Sequence, residues 1–186
     1  MLELPAVRER VHRLSVAEYH RAGETGVLSE DVELLRGLVV TKMPRTPLHE
    51  FVAQKLTDLL LAKVPAGFKV WVERPLTLRD SEPEPDLSVV RGQTEDWVTA
   101  HPSTAALVVE VAVSSASVDE GKADIYAEAG IPEYWLVRPD RRAVEVYREP
   151  DPGGYLLPST LTERDTLDCA TLGVEFPISD ILPPRS

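Results

Sequence analysis

Ala105-Ala-Leu-Val-Val-Glu110-Val-Ala-Val113 is an apolar run with a single acid inside it. A run that is apolar at nearly every position, rather than at alternate ones, is the pattern of a central strand buried on both faces. Glu110 is then the anomaly, because an ionised carboxylate in such a strand is costly unless it has a partner. On period-2 counting it shares a face with Ala106, Val108 and Ala112, modest side chains that leave space beside it. Two readings stay open from this residue alone. It is satisfied by a buried arginine or by main-chain N–H groups, or it is a metal-binding or catalytic acid.

Working outward, Asp86 to Arg91 reads as a short strand after a Glu82-Pro-Glu-Pro-Asp86 approach, and Phe68 to Leu78 is β-rich. Ser117-Val-Asp-Glu120 fits a capping box for a helix ending at Gly130. Glu133 to Arg138 and Ala143 to Arg148 form a hairpin turning at Pro139-Asp-Arg-Arg142. Nearer the start, Ser15-Val-Ala-Glu18 is a second capping box, for a helix reaching about Gly23, and Val32 to Met43 is two strands turning at Arg36-Gly37. Thr46-Pro47 opens a helix whose stripe of Phe51, Val52, Leu56, Leu59, Leu60 and Val64 ends at Pro65-Ala-Gly67. Tyr155 to Phe176 is weakly patterned and suits two edge strands, and Ile181 to Ser186 reads as a loose end. The order of strands, helix, strands, helix, strands predicts an α/β fold, a mixed sheet flanked by helices. One domain spans 1–186, with its core at about 14–178 and a loose tail over 179–186.

With 186 residues, 43% apolar and 27% charged, the chain has the balance of a soluble globular domain with room for a core. No apolar run approaches the ~18 residues that span a bilayer. Met1 to Arg13 is charged and lacks a signal-peptide core, so a cytoplasmic location and no membrane partner are expected. The lone Cys169 cannot form an internal disulfide and reads as a small core residue. A net charge of -11 argues against strong nonspecific DNA binding, although a local basic patch can coexist with it and a bound cation would neutralise part of it.

Asp86 follows Pro85, a place where a turn aspartate is common. If its strand pairs with that of Glu110, the two carboxylates converge, and they repel unless a cation lies between them. Oxygen ligands of this kind favour Mg²⁺ or Mn²⁺ over zinc. Lys122 lies on the helical stripe Lys122, Ile125, Tyr126, Ala129 that should pack on the sheet, whereas Glu120, Asp124 and Glu128 form a solvated face. A lysine there snorkels or finds a carboxylate. Asp119, one turn earlier, reads as a helix N-terminal acid favoured by the dipole. His49 begins the apolar stripe of its helix and should point inward, with Glu50 outward; such a histidine is more often packed and hydrogen-bonded than catalytic. Glu33 reads as an ordinary strand acid. Lys42 and Arg45, and the cluster Arg138, Arg141 and Arg142, are candidate phosphate contacts, the second group being closer to plain surface charge. The sequence has neither a glycine-rich phosphate loop nor a GxSxG elbow.

Pro85-Asp86-Leu-Ser-Val-Val, Leu-Val-Val-Glu110-Val-Ala-Val-Ser-Ser and Lys122-Ala-Asp-Ile-Tyr126-Ala-Glu-Ala-Gly130-Ile-Pro-Glu-Tyr134-Trp135-Leu-Val together resemble the Uma-two family. Those bacterial domains are of restriction-endonuclease type and belong to the PD-(D/E)XK nuclease superfamily. The Ser15 to Tyr19 helix start, Glu33-Leu-Leu-Arg-Gly37, and Met43-Pro followed by His49 are also similar, so the resemblance covers about Leu14 to Arg148. It implies a restriction-endonuclease-like fold, Asp86 and Glu110 as metal ligands, and Lys122 as the superfamily's lysine supplied from a helix. In the plain motif the lysine stands two residues after the acid, where this chain has Ala112. Glu33 and His49 match recurrent family positions.

The resemblance thus implies a Mg²⁺- or Mn²⁺-dependent endonuclease acting on DNA. Asp86, Glu110 and the carbonyl of Val111 would hold the metal, and Lys122 would orient water or stabilise charge on the phosphate. Glu33 and His49 would assist. Analogy with small nucleases of this architecture suggests a homodimer. The alternatives are a catalytically inactive DNA-binding or assembly module and a purely structural ion pair of Lys122 with the two acids.

Overall fold

A computed structural model describes residues 10–113, 116–151 and 153–185, with main chain alone at 116 and 117. In chain order the elements are α1 (Val16–Glu24), β1 (Val32–Leu35), β2 (Leu38–Thr41), α2 (Pro47–Lys63), β3 (Phe68–Val72), β4 (Leu87–Arg91), β5 (Leu107–Val111), α3 (Ala116–Glu128), β6 (Glu133–Arg138), β7 (Ala143–Arg148), β8 (Ser159–Thr162), β9 (Thr166–Cys169) and β10 (Val174–Pro177). The apolar run has become β5, buried at every position. It lies inside a six-stranded sheet of order β3-β4-β5-β6-β7-β8. Only β5 and β6 are parallel; each other neighbouring pair is antiparallel, so the sheet is mixed. A parallel pair needs a long crossover, and α3 supplies it.

Strand alternation sends the residues of β4, β5 and β6 to two cores. Leu87, Val89, Leu107, Val109, Val111, Trp135 and Val137 face α2, which contributes Val52, Ala53, Leu56 and Leu60. Val90, Val108, Ala112, Tyr134 and Leu136 face α3, which contributes Ala123, Ile125 and Tyr126. Glu110 falls on the α3 side by the same count. Register pairs Leu87 with Val109, and continuing it by one residue sets Asp86 opposite Glu110.

The hairpin β1–β2 stands apart from the main sheet. Its turn needs positive φ at both central residues, Arg36 (49°) and Gly37 (76°). A Cβ on Gly37 would come within 2.6 Å of Arg13 Cβ. Main-chain bonds tie this hairpin to the approach before β4: Leu34 and Glu82 exchange N–H···O bonds of 3.3 and 2.7 Å, and Gly37 donates to Asp80 O at 2.8 Å. Behind it, α1 starts with both halves of the Ser15–Glu18 capping box, as expected. It holds the hairpin through Tyr19 Oη donating to Val32 O at 2.9 Å and through His20 beside Glu82.

Three expectations need correction. The β-rich stretch 68–78 is strand only to Val72, since Glu73 turns the chain with φ 51°; Leu76 and Leu78 stay buried without being strand. The segment 155–176 holds more than two edge strands: β8 is the edge of the main sheet, while β9 and β10 form a separate hairpin. That hairpin turns Leu167, Cys169, Val174 and Phe176 into the α2-side core, so Cys169 is the core residue expected. The third concerns 179–186. Ile181 and Leu182 are buried in the same core and are no loose end, because Asp180 closes a 3-10 turn that directs them inward. The cap expected at Ser117 lies outside the described side chains.

Ile181→Ala is therefore expected to cost about 2–5 kcal/mol in urea unfolding. Leu157→Ala, at a position 96% exposed, should change stability by about 0.5 kcal/mol or less.

Candidate active site

Glu110 is 4% exposed and Lys122 5%, and they meet. The inner stripe of α3 reaches back to β5, the strand before it in the chain. Lys122 Nζ sits 3.0 Å from Glu110 Oε1, 3.0 Å from Glu33 Oε1 and 3.8 Å from Asp119 Oδ1. Tyr126, one turn further along, donates its hydroxyl to the same Glu110 Oε1 at 2.8 Å. Tyr134 Oη donates to the carbonyl of Asp119 at 2.9 Å and pins the first turn of α3 to β6. Glu33 arrives on β1 and accepts the Glu84 N–H at 3.2 Å through Oε2. Asp86 accepts the Val111 N–H at 2.7 Å and lies 3.0 Å from His49 Nε2.

Glu33, His49, Asp86, Glu110, Asp119 and Lys122 line one cleft of about 290 Å³, with Lys42 and Arg45 on its wall. Lys42 is paired with Glu84 at 3.0 Å and Arg45 with Glu73 at 2.7 Å. Arg138 is engaged by Glu120 and Glu145, and Arg142 by Glu163, so these arginines serve as structural partners. Arg141 lies in the 3-10 turn after β6 and is not among the cleft-lining residues.

The electrostatics follow from burial. Four carboxylates, Glu33, Asp86, Glu110 and Asp119, face one buried ammonium and one imidazole. Burial pushes Glu110 up from 4.5 to about 8; Asp86, Asp119 and Glu33 add to the shift and Lys122 opposes it. Burial alone would lower Lys122, but Glu110, Glu33 and Asp119 outweigh it and hold the amine above its ordinary range, fully charged. Tyr126 is pushed well above its ordinary range by burial and by the Glu110 charge, so its hydroxyl stays a donor.

The donor set suits a hard divalent cation. Asp86, just before β4, and Glu110, on the neighbouring β5, offer carboxylate oxygens, Val111 lines the same cleft, and the cleft carries more negative than positive charge. Among the described residues no three His, Cys, Asp or Glu side chains converge to cage an ion by themselves. The arrangement is an open one, of the kind in which Mg²⁺ keeps several waters. His49 Nδ1 is buried with no partner among the described residues, a polar atom left over beside the same carboxylate.

The five side chains singled out in the sequence, Glu33, His49, Asp86, Glu110 and Lys122, are brought together. Glu33 is no ordinary strand acid but a buried partner of Lys122. Asp119 was assigned to the helix dipole, yet it is buried and faces the lysine; its i, i+3 spacing from Lys122 was the available signal. Tyr126 stood on the right stripe with no role attached.

The Uma2 family, described as "Putative restriction endonuclease", matches residues 16–179. Among curated proteins none matches this chain in sequence. A solved structure described as a "putative nuclease belonging to DUF820", from Anabaena variabilis, superposes with a TM-score of 0.74 at 17% identity, covering 90% of this chain and 97% of that one. The type IIG restriction endonuclease BpuSI aligns at TM-score 0.41 and 17% identity, over 79% of this chain and 17% of that chain. The first superposition bears out the restriction-endonuclease-like mixed α/β fold. With residues 16–179 of 186 matched, the chain belongs to the Uma2 family.

Proposed function

We propose that this protein is a divalent-metal-dependent endonuclease that hydrolyses DNA phosphodiester bonds. The observation that carries the reading is the buried ammonium of Lys122 beside Glu110, with Asp86 opposite on the adjacent strand and all three opening on one cleft. Asp86, Glu110 and the Val111 carbonyl would hold Mg²⁺ or Mn²⁺. A metal bound there supplies charge neutralisation to the phosphate and lowers the pKa of a coordinated water. The protein's own part is positioning. The Val111 N–H and His49 fix Asp86, while Lys122 and Tyr126 fix Glu110. Lys122 carries a charge that stabilises the developing negative charge on a phosphate entering the cleft. Lys42 and Arg45 exchange Glu84 and Glu73 for phosphate oxygens as a strand binds. With a net charge of -11 this binding is weak and sensitive to salt, so affinity rests on the cleft rather than on a basic surface.

One observation favours a different reading. Lys122 is fully engaged by acids and only 5% exposed, which suits a structural ion pair in a nuclease fold without activity. On that reading Lys122→Met leaves folding intact or improved and has no cleavage to lose.

Supercoiled plasmid incubated with Mg²⁺ or Mn²⁺ should be nicked, and chelation should stop it. Asp86→Ala, Glu110→Ala and Lys122→Ala should each lower the rate by about 100-fold or more. Equal nicking by wild type and all three variants would identify a contaminant and end the proposal.

A second expectation concerns pH. The folded state holds a proton on Glu110 from 4.5 up to about 8, while the unfolded chain has released it. The folded state binds the extra proton in that window, so this group's stabilisation is complete below 4.5 and is lost as pH rises through about 8. Urea unfolding in chelator should show wild-type stability declining from pH 5 to about 8 relative to Glu110→Gln. Mg²⁺ should flatten the decline. Parallel curves for the two proteins would show that Glu110 ionises as freely in the fold as outside it.

A further inference from the structure

Glu110 Oε1 receives two donors from one helix face. Lys122 Nζ lies 3.0 Å away, and Tyr126 Oη, four residues later on α3, lies 2.8 Å away. Neither donor is free to wander. Tyr126 is fully buried and packs on Tyr134 with ring centroids 5.1 Å apart, and Lys122 is held at the same time by Glu33. A carboxylate oxygen has two lone pairs. Two short hydrogen bonds, one of them from the ammonium, occupy them. An oxygen so engaged cannot also bind a cation at full strength.

We infer that Tyr126 is a positioning residue that holds Glu110 as a one-oxygen donor, and that it thereby makes the cleft select small octahedral cations, Mg²⁺ and Mn²⁺, over Ca²⁺. The inference rests on the reading of the cleft as a metal site. Ca²⁺ takes six to eight oxygens and gains from carboxylates that bind through both, whereas Mg²⁺ keeps octahedral geometry with one oxygen per carboxylate and retained waters. Clamping Oε1 removes the two-oxygen mode from Glu110 and leaves the one-oxygen mode intact. The sequence supplies the clamp through spacing alone: residues 122 and 126 are one helical turn apart, so a lysine and a tyrosine on the inner stripe reach one atom.

Tyr126→Phe keeps the ring and its packing and removes only the hydroxyl. Titration calorimetry with MnCl₂ and with CaCl₂, on wild type and variant, reads the effect. Wild type should bind Mn²⁺ at least about tenfold more tightly than Ca²⁺. In the variant Mn²⁺ affinity should fall by about tenfold or more while Ca²⁺ holds or tightens, so that the preference collapses. Equal losses for both ions, or no change in either, would reduce Tyr126 to a packing residue and overturn the inference with the metal site left standing. Wild type that binds Ca²⁺ as tightly as Mn²⁺ overturns it without recourse to the variant, should the variant not fold. Wild type that binds neither ion removes the metal site, and with it both this inference and the proposed function.

Discussion

The cost of placing Glu110 inside the sheet governs the rest of the structure. A carboxylate among Val108, Val109, Val111 and Ala112 is almost wholly withdrawn from water, meeting it only at the cleft. The fold meets that cost with an ammonium and a phenol delivered by the helix that directly follows the strand, which is the shortest route by which a chain can return a donor to its own β-strand. Because the same ammonium must serve Glu33 and lie near Asp119, the solution overshoots: one buried cation stands among several buried acids. Burial, with Asp86, Asp119 and Glu33 adding to it, pushes Glu110 toward its protonated form. The leftover negative charge is the physical reason the cleft would suit a divalent ion.

Positioning is distributed over several elements that converge on the cleft. The antiparallel register of β4 and β5 sets Asp86 across from Glu110, and the Val111 N–H then fixes its carboxylate. The β1–β2 hairpin is not hydrogen-bonded to the main sheet as a strand; it is hung on residues 80–82 by main-chain bonds and braced by α1. That bracing gives Glu33 a defined place although its strand is only four residues long. On the opposite face α2 presents His49 from its first turn while its apolar stripe closes the other core. One end of the sheet therefore gathers the ionisable groups, and two separate cores carry the stability.

Much of this was legible before any coordinates. The run 105–113 announced a central strand and its misplaced acid, because full burial suppresses alternation and leaves any charged residue conspicuous. Lys122 was legible because helical periodicity is local and set it among the residues that had to face the sheet. The capping box at Ser15, the hairpin turn at Arg36-Gly37 and the helix start at Thr46-Pro47 were legible for the same reason, since each is decided by a handful of adjacent residues. The strand end at Val72 was not, because a positive φ at a glutamate leaves no compositional trace. Nor was the inward turn of Ile181 and Leu182, since a short apolar pair between polar neighbours reads the same whether it is exposed or tucked under a hairpin.

By itself, then, the sequence determined most of the strands and helices, which side of each is apolar, and that Glu110 and Lys122 stand on faces that pack. Only the tertiary structure decided that Glu33 joins Glu110 around one lysine, that Asp119 faces inward, and that Tyr126 shares an oxygen with Lys122. Periodicity records the direction a side chain takes from its own element. The meeting of side chains from different elements depends on register and on the docking of the β1–β2 hairpin onto residues 80–82. Those are settled by main-chain hydrogen bonds, which are nearly blind to residue type and so leave little mark in the order of the amino acids.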